Sequence, residues 1–209
     1  MTTFASIGQE IRFELPSCPE QLIESAVRSA AINLCEKGCI WRVQQRVASL
    51  PGNLREVSLT LPDGARLAMM LSVRLGSHPL APISRAQLDQ SHADWEQMSG
   101  TPTVYCSQTN STVRLVPQTS APVDTPLIMR YAVAPLISST SMPDEIAERW
   151  HFALQAGARA DLFRRRAQWA DPTAAADALA QFNQSIGRAR VELHNELQNS
   201  RMHVAIPRI

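Results

Sequence analysis

From Ile40 to about Val133 apolar residues recur at every second position, whereas on both sides of that stretch they recur every three or four. A chain that leaves helical period, alternates for some ninety residues and then returns cannot form a single bundle or a single sandwich. The pattern predicts an α+β fold. Residues 1–39 and 134–198 form a helical body with three long helices, residues 40–133 an inserted antiparallel β-rich lobe, and residues 199–209 an extended C-terminal arm.

Ser17-Cys18-Pro19-Glu20 sets a serine three residues ahead of a glutamate, the spacing of a capping box, with proline in the first turn. The helix it opens carries Leu22, Ala26, Ala30 and Leu34 on one stripe and Ile23, Val27, Ala31 and Cys35 on the next, and Gly38 stops it. Just before it, Ile11 to Leu15 alternates and reads as a short extended segment. Strand-like runs follow at 40–50, 54–61, 67–75, 104–106, 113–116 and 127–133. Pro51-Gly52-Asn53 and Pro62-Asp63-Gly64 supply reversals that make consecutive strands antiparallel neighbours. Ser84 to Gly100, with Leu88, Trp95 and Met98, reads as helical turns crossing the lobe. A second long helix begins near Ser141 or Met142, presents Ile146, Trp150, Ala153, Leu154, Gly157, Ala158 and Leu162, and ends in Arg164, Arg165 and Arg166, where cations meet the negative end of the helix dipole. Asp171-Pro172 opens a third, with Leu179, Phe182, Ile186, Ala189, Leu193 and Leu197, and the last two helices pair as an antiparallel hairpin. Beyond Asn199, Met202, Val204 and Ile206 alternate with polar residues until Pro207.

Charge narrows the function classes. The net charge of +1 gives no broad attraction to nucleic acid or to an anionic membrane. Charged residues make up 19% of the chain, below the roughly 25% usual for soluble domains, which fits a surface partly covered by neighbouring subunits. Lys37 is the only lysine, so almost all positive charge sits on planar, multi-donor guanidiniums suited to interfaces. The opening Met1 to Gly8 has no basic region followed by an apolar run, and no uninterrupted apolar stretch approaches the ~18 residues of a membrane span; the expected product is soluble and intracellular.

Chemistry is sparse. Glu148 and His151 have the Glu-x-x-His spacing of di-iron bundles, but Glu192, His194 and Glu196 are in the wrong arrangement to complete such a site, which leaves a solvated or interface histidine. Cys35 and Cys39 lie one helical turn apart without a second pair of ligands, and Cys18 and Cys106 stand alone, so all four read as reduced, buried thiols. There is no Gly-x-Ser-x-Gly elbow and no phosphate-cradling glycine loop. Trp41, Trp150 and Trp169 lie on or beside helices and read as core anchors. No catalytic residue, metal or cofactor is expected. Arg164 to Arg166 remain as a candidate contact for another subunit, an acidic partner surface or phosphate.

Four passages, in order, carry a family likeness: Leu15-Pro16-Ser17-Cys18-Pro19 with the alanine-rich helix through Cys35 and Ile40-Trp41-Arg42; Gly100-Thr101-Pro102-Thr103-Val104-Tyr105; Tyr131 to Pro135 with Met142 to Ile146 and Trp150 to Ala158; and Trp169-Ala170-Asp171-Pro172 with Phe182 and Ile186 to Arg190. Spanning about 15 to 190, they resemble the head-to-tail adaptor (connector, tail tubular protein) family of tailed bacteriophages. Asp161 and the three arginines after Ala160 depart from the pattern. The resemblance implies a structural virion protein of the neck, assembled in the host cytoplasm, without enzymatic activity. It implies a ring of about twelve copies between the portal protein and a tail or nozzle protein, with DNA passing through the lumen unbound by sequence. On this reading the arm residues Arg201, Met202, His203, Val204, Ile206, Pro207 and Ile209 order on the portal as an added strand. The competing readings are another neck or tail-completion ring protein and a metal-dependent helical enzyme using Glu148 and His151.

Overall fold

The structure is a computed structural model and describes residues 1–91, 94–109 and 111–199. In chain order its elements are β1 (Thr2–Thr3), α1 (Phe4–Glu14), α2 (Glu20–Gly38), β2 (Arg42–Val47), β3 (Glu56–Ser58), β4 (Ala65–Leu75) and β5 (His78–Pro82). They continue with α3 (Arg85–Ser91), β6 (Ser99–Gly100), β7 (Val104–Thr109), β8 (Thr112–Val116), β9 (Gln118–Thr119), β10 (Leu127–Pro135) and β11 (Ser141–Met142). The last are α4 (Asp144–Arg149), α5 (His151–Arg164) and α6 (Pro172–Asn199). The chain divides into two compact units, one of Met1–Trp41 with the chain from Ala134 onward, the other Arg42–Val133.

The α+β class holds, but the expected body of three long helices does not. Six helices occur among the described residues, beside a large mixed sheet. Two differences lie in the helical unit. The segment read as extended, Ile11 to Leu15, belongs to α1. Phe4, Ile7, Gly8 and Ile11 form its buried face at helical spacing, and Thr3 caps it by accepting from the Ser6 N–H at 3.2 Å. The two-residue alternation at its end was local, and Phe13 simply points into water. The expected second long helix is also interrupted. Trp150, at φ −108° and ψ 16°, separates α4 from α5, although its N–H still donates to the Ile146 carbonyl.

The ends of α2 differ from the sequence signals in an instructive way. Ser17 makes no cap; the helix starts after Pro19, whose carbonyl accepts from Leu22 and Ile23. At the other end Cys39, not Gly38, takes the left-handed conformation at φ 51°. Gly38 serves packing instead, for a Cβ there would stand 2.9 Å from that of Ala189 on α6. At the start of α6 the sequence signal works as read: the Asp171 carboxylate accepts from the Thr173 and Ala174 N–H groups, both at 3.0 Å. The Arg149–Glu192 pair at 2.7 Å and the Asp171 N–H to Phe163 carbonyl bond at 3.1 Å lie at opposite ends of α5 and α6, so these helices run antiparallel.

In the β unit the strand order β2-β10-β4-β5-β7-β8-β3 corrects the expectation that consecutive strands are neighbours. β4 with β5 and β7 with β8 are antiparallel pairs, but β2 and β3 lie at opposite ends of the order, and β5 pairs with β7 in parallel. The parallel pair needs a crossover. α3 and the turns after it supply it, sinking Leu88 and Trp95 against Cys106 and Val116. The sheet curls until its edges meet at a side chain. Gln45 of β2 donates to the Ser58 carbonyl at 3.0 Å and accepts from the Thr60 N–H at 2.8 Å, while the buried Tyr131 hydroxyl donates to the Thr60 carbonyl at 2.6 Å. The fully buried Thr119 ties the 51–54 turn, donating to the Pro51 carbonyl at 2.7 Å and accepting from Leu54 at 2.8 Å.

The tightest helix approach is at Gly157. A Cβ there would lie 2.7 Å from Ala30 Cβ and 2.9 Å from the Phe182 ring. Because the first of these neighbours is fixed to a helix backbone, Gly157→Ala is expected to destabilise the protein by about 1–3 kcal/mol despite its better helix propensity. A lower midpoint in thermal unfolding followed by circular dichroism measures it.

Candidate functional site

Where α2, the end of α5 and the first half of α6 meet, small residues leave a trough. Ala26 and Ala30 on α2, Gly157 and Ala160 on α5 and Ala175 on α6 fill too little volume to close it, and Phe182 and Leu179 line its far wall. The resulting groove has a volume of about 630 Å³. Its floor is apolar and its rim is cationic: Lys37 comes from the last turn of α2, Arg164 is the last residue of α5, and Arg165 and Arg166 follow in the bend after it, not in the helix as expected. The structure therefore brings the three arginines expected as a contact surface together on one groove.

Their roles are unequal. Asp161, one turn back, holds Arg165 through Nη2 at 2.5 Å and Nε at 3.1 Å. Arg164 approaches the same carboxylate only at 3.8 Å and is largely exposed. Neither the Arg166 guanidinium nor the Lys37 ammonium has a hydrogen bond or ion pair among the described residues. One carboxylate thus faces four cations, so the rim is strongly positive although the chain as a whole is close to neutral.

The other candidates are scattered. His151 turns away from Glu148 toward α1, with Nε2 3.6 Å from Glu10 and 3.0 Å from Gln155 Nε2. Gln155, almost wholly buried, donates to Glu10 at 2.7 Å. That bond, reinforced by His151, holds the Glu10 carboxyl below its ordinary value. Glu192 is occupied by Arg149 and Arg188, and no group of three or more metal-type ligands gathers among the described residues. All four cysteines are free and buried, and burial pushes Cys35 from 9.0 up to about 12. Trp41 and Trp150 are buried; Trp169 is half-buried. Arg201, Met202, His203, Val204, Ile206, Pro207 and Ile209 lie outside the described residues. Among the described residues no helix is long and apolar enough to cross a membrane.

Sequence reasoning missed two features. In sequence the groove floor is indistinguishable from ordinary helix face, because alanine and glycine carry no mark of the space they leave. Phe13 and Phe152, which are 87% and 82% exposed, were also passed over. For Phe152 a signal existed, since it stands outside the apolar stripe of its own helix.

The SU10 adaptor protein family model matches residues 2–205. The chain belongs to that family. Membership bears out the resemblance to tailed-phage head-to-tail adaptors and extends it beyond the four passages at both ends. No curated protein matches the chain. Membership in an adaptor family implies a structural role.

Cys35 gives this helical unit a pH signature. Below pH 9 both the folded and the unfolded thiol hold their proton; between 9 and about 12 only the unfolded one ionises, so stability falls as pH rises through that window. Urea unfolding across this range should show a decline in the native chain that is shallower in Cys35→Ala.

Proposed function

We propose that the chain is a structural ring subunit of the phage neck, about twelve copies joining the portal protein on one side to a tail or nozzle protein on the other. The ring stays in the virion after assembly in the host cytoplasm, and DNA passes through its lumen. The observation that carries the reading is the helical unit of an adaptor-family chain leaving large apolar side chains in water, Phe13, Phe152 and the 78% exposed Ile137. Such groups cost free energy until a partner covers them. Low overall charge supports the passage of DNA, because a lumen rich in phosphate contacts would hold it. Nothing in this role requires catalysis, metal or cofactor.

The portal contact is assigned to the segment after Asn199, on sequence grounds. Met202, Val204 and Ile206 alternate with polar residues and suit an added strand, and Arg201, His203, Pro207 and Ile209 flank them. Arg164, Arg165 and Arg166 are assigned to contact with a neighbouring subunit or partner.

Electron microscopy of the purified chain mixed with portal rings tests the ring. A coaxial second ring of the same symmetry is expected; a chain that binds isolated tails and ignores portal rings belongs at another position in the neck. Removing residues 200–209 should leave the circular dichroism spectrum unchanged and abolish co-sedimentation with portal rings. Undiminished co-sedimentation would remove the portal role from that segment.

A further inference from the structure

We infer that the groove between α2, α5 and α6 receives a second copy of this chain, and that the part it receives is the acidic end of α4–α5 bearing Phe152. The inference rests on the ring reading above and names the surfaces that would build the ring. Glu145, Glu148 and Phe152 follow one another at i, i+3 and i+7, the spacing of a single helical stripe. The helical bonding continues across Trp150, whose N–H donates to Ile146 and whose carbonyl accepts from Leu154. Both glutamates are exposed and neither has a partner among the described residues. The nearby cations, Arg149 and Arg188, are both turned onto Glu192 at 2.7 and 3.4 Å, which leaves the glutamates uncompensated.

The groove complements this stripe feature for feature. Its apolar floor takes an aromatic ring, and its unpaired Lys37 and Arg166, with the loosely held Arg164, take carboxylates. One subunit cannot join its own two surfaces. They lie at opposite ends of α5, which at 1.5 Å per residue places His151 and Arg164 roughly 20 Å apart along a rigid helix. A contact between different patches on successive copies is heterologous, the kind that closes into a ring when the rotation fits. The chain's own terminal segment fits the groove poorly, since residues 200–209 carry Arg201 and Arg208 and no acid.

The test uses the full chain and portal rings. Arg166→Glu and Glu148→Arg should each raise the concentration needed for ring assembly by about tenfold or more, and combining both reversals in one chain should restore it. Thermal unfolding of each variant confirms an intact fold. Separately, Phe152→Cys with Leu179→Cys should give, on oxidation of assembled rings, a ladder of covalent oligomers; the four native cysteines are buried. Rings that form from every variant at the native concentration, with no ladder, overturn the inference and leave the ring reading standing. Loss of portal attachment in Arg166→Glu that Glu148→Arg neither shares nor rescues assigns the groove to the portal protein and also overturns it. A native chain that forms no ring on portals overturns both.

Discussion

The helical unit depends on one close approach. Gly157 lets α5 come so near to α2 and α6 that no side chain fits between it and Ala30 or Phe182. Three consequences follow from that single absent methyl group. The backbone of α5 packs directly on the Ala30 methyl group and the Phe182 ring at this level. The small residues around it, unable to fill the widening gap toward the end of α5, leave the groove. And α5 itself, held on two sides, carries its terminal arginines to the rim at a fixed place. An unfilled trough of this size on an otherwise well-packed unit represents contact energy that the isolated chain does not collect.

Much of this architecture is written in the sequence as period and punctuation. The stripes on α2, the Asp171-Pro172 start of α6 and the change to alternation in the central stretch all reflect local rules, in which a residue's neighbours in the chain decide its conformation. What is not local was not legible. β2 and β3 follow each other in the chain yet occupy opposite ends of the strand order, because the sheet curls and closes through the Gln45 side chain rather than through a hairpin. Nor does any dipeptide announce the parallel pairing of β5 with β7, which depends on where Leu88 and Trp95 sink. In α1 and at the end of α2 tertiary packing overrode the local signal. Phe4, Ile7 and Ile11 found a common core, and Gly38 was spent on the approach of Ala189, so that Cys39 made the turn.

The candidate site divides in the same way. Three successive arginines are visible in any reading of the chain, and their place at a helix end is a sufficient local reason for them. That they border a groove is a tertiary fact. It requires Lys37 from a distant helix, and alanines whose significance lies in what they do not fill. Glu148 and His151 show the converse. Their spacing suggested a shared site, but the core demand for Gln155 turns His151 toward Glu10, so two residues one turn apart serve different surroundings.

Net charge conceals the polarity of this chain. The sum is +1, yet acids gather where the α4–α5 segment begins, at Asp144, Glu145 and Glu148, and arginines where it ends. Asp144 and Glu145 in the first turn of α4 and Arg164 in the last turn of α5 favour their own helices, since carboxylates suit the N-terminal and guanidiniums the C-terminal end of the peptide dipoles. Asp144 is drawn further into the fold by the Met1 amino group at 2.7 Å and by Thr2, which hold its carboxyl below the ordinary range. The remaining charges stay in water at both ends, of opposite sign and well separated. In the proposed ring, a chain polarised in this way would meet its own copies end to end more readily than face to face, because like ends repel. Charges placed along the α4–α5 segment thereby also give the chain a direction, which is what the proposed ring of identical copies would require of each member.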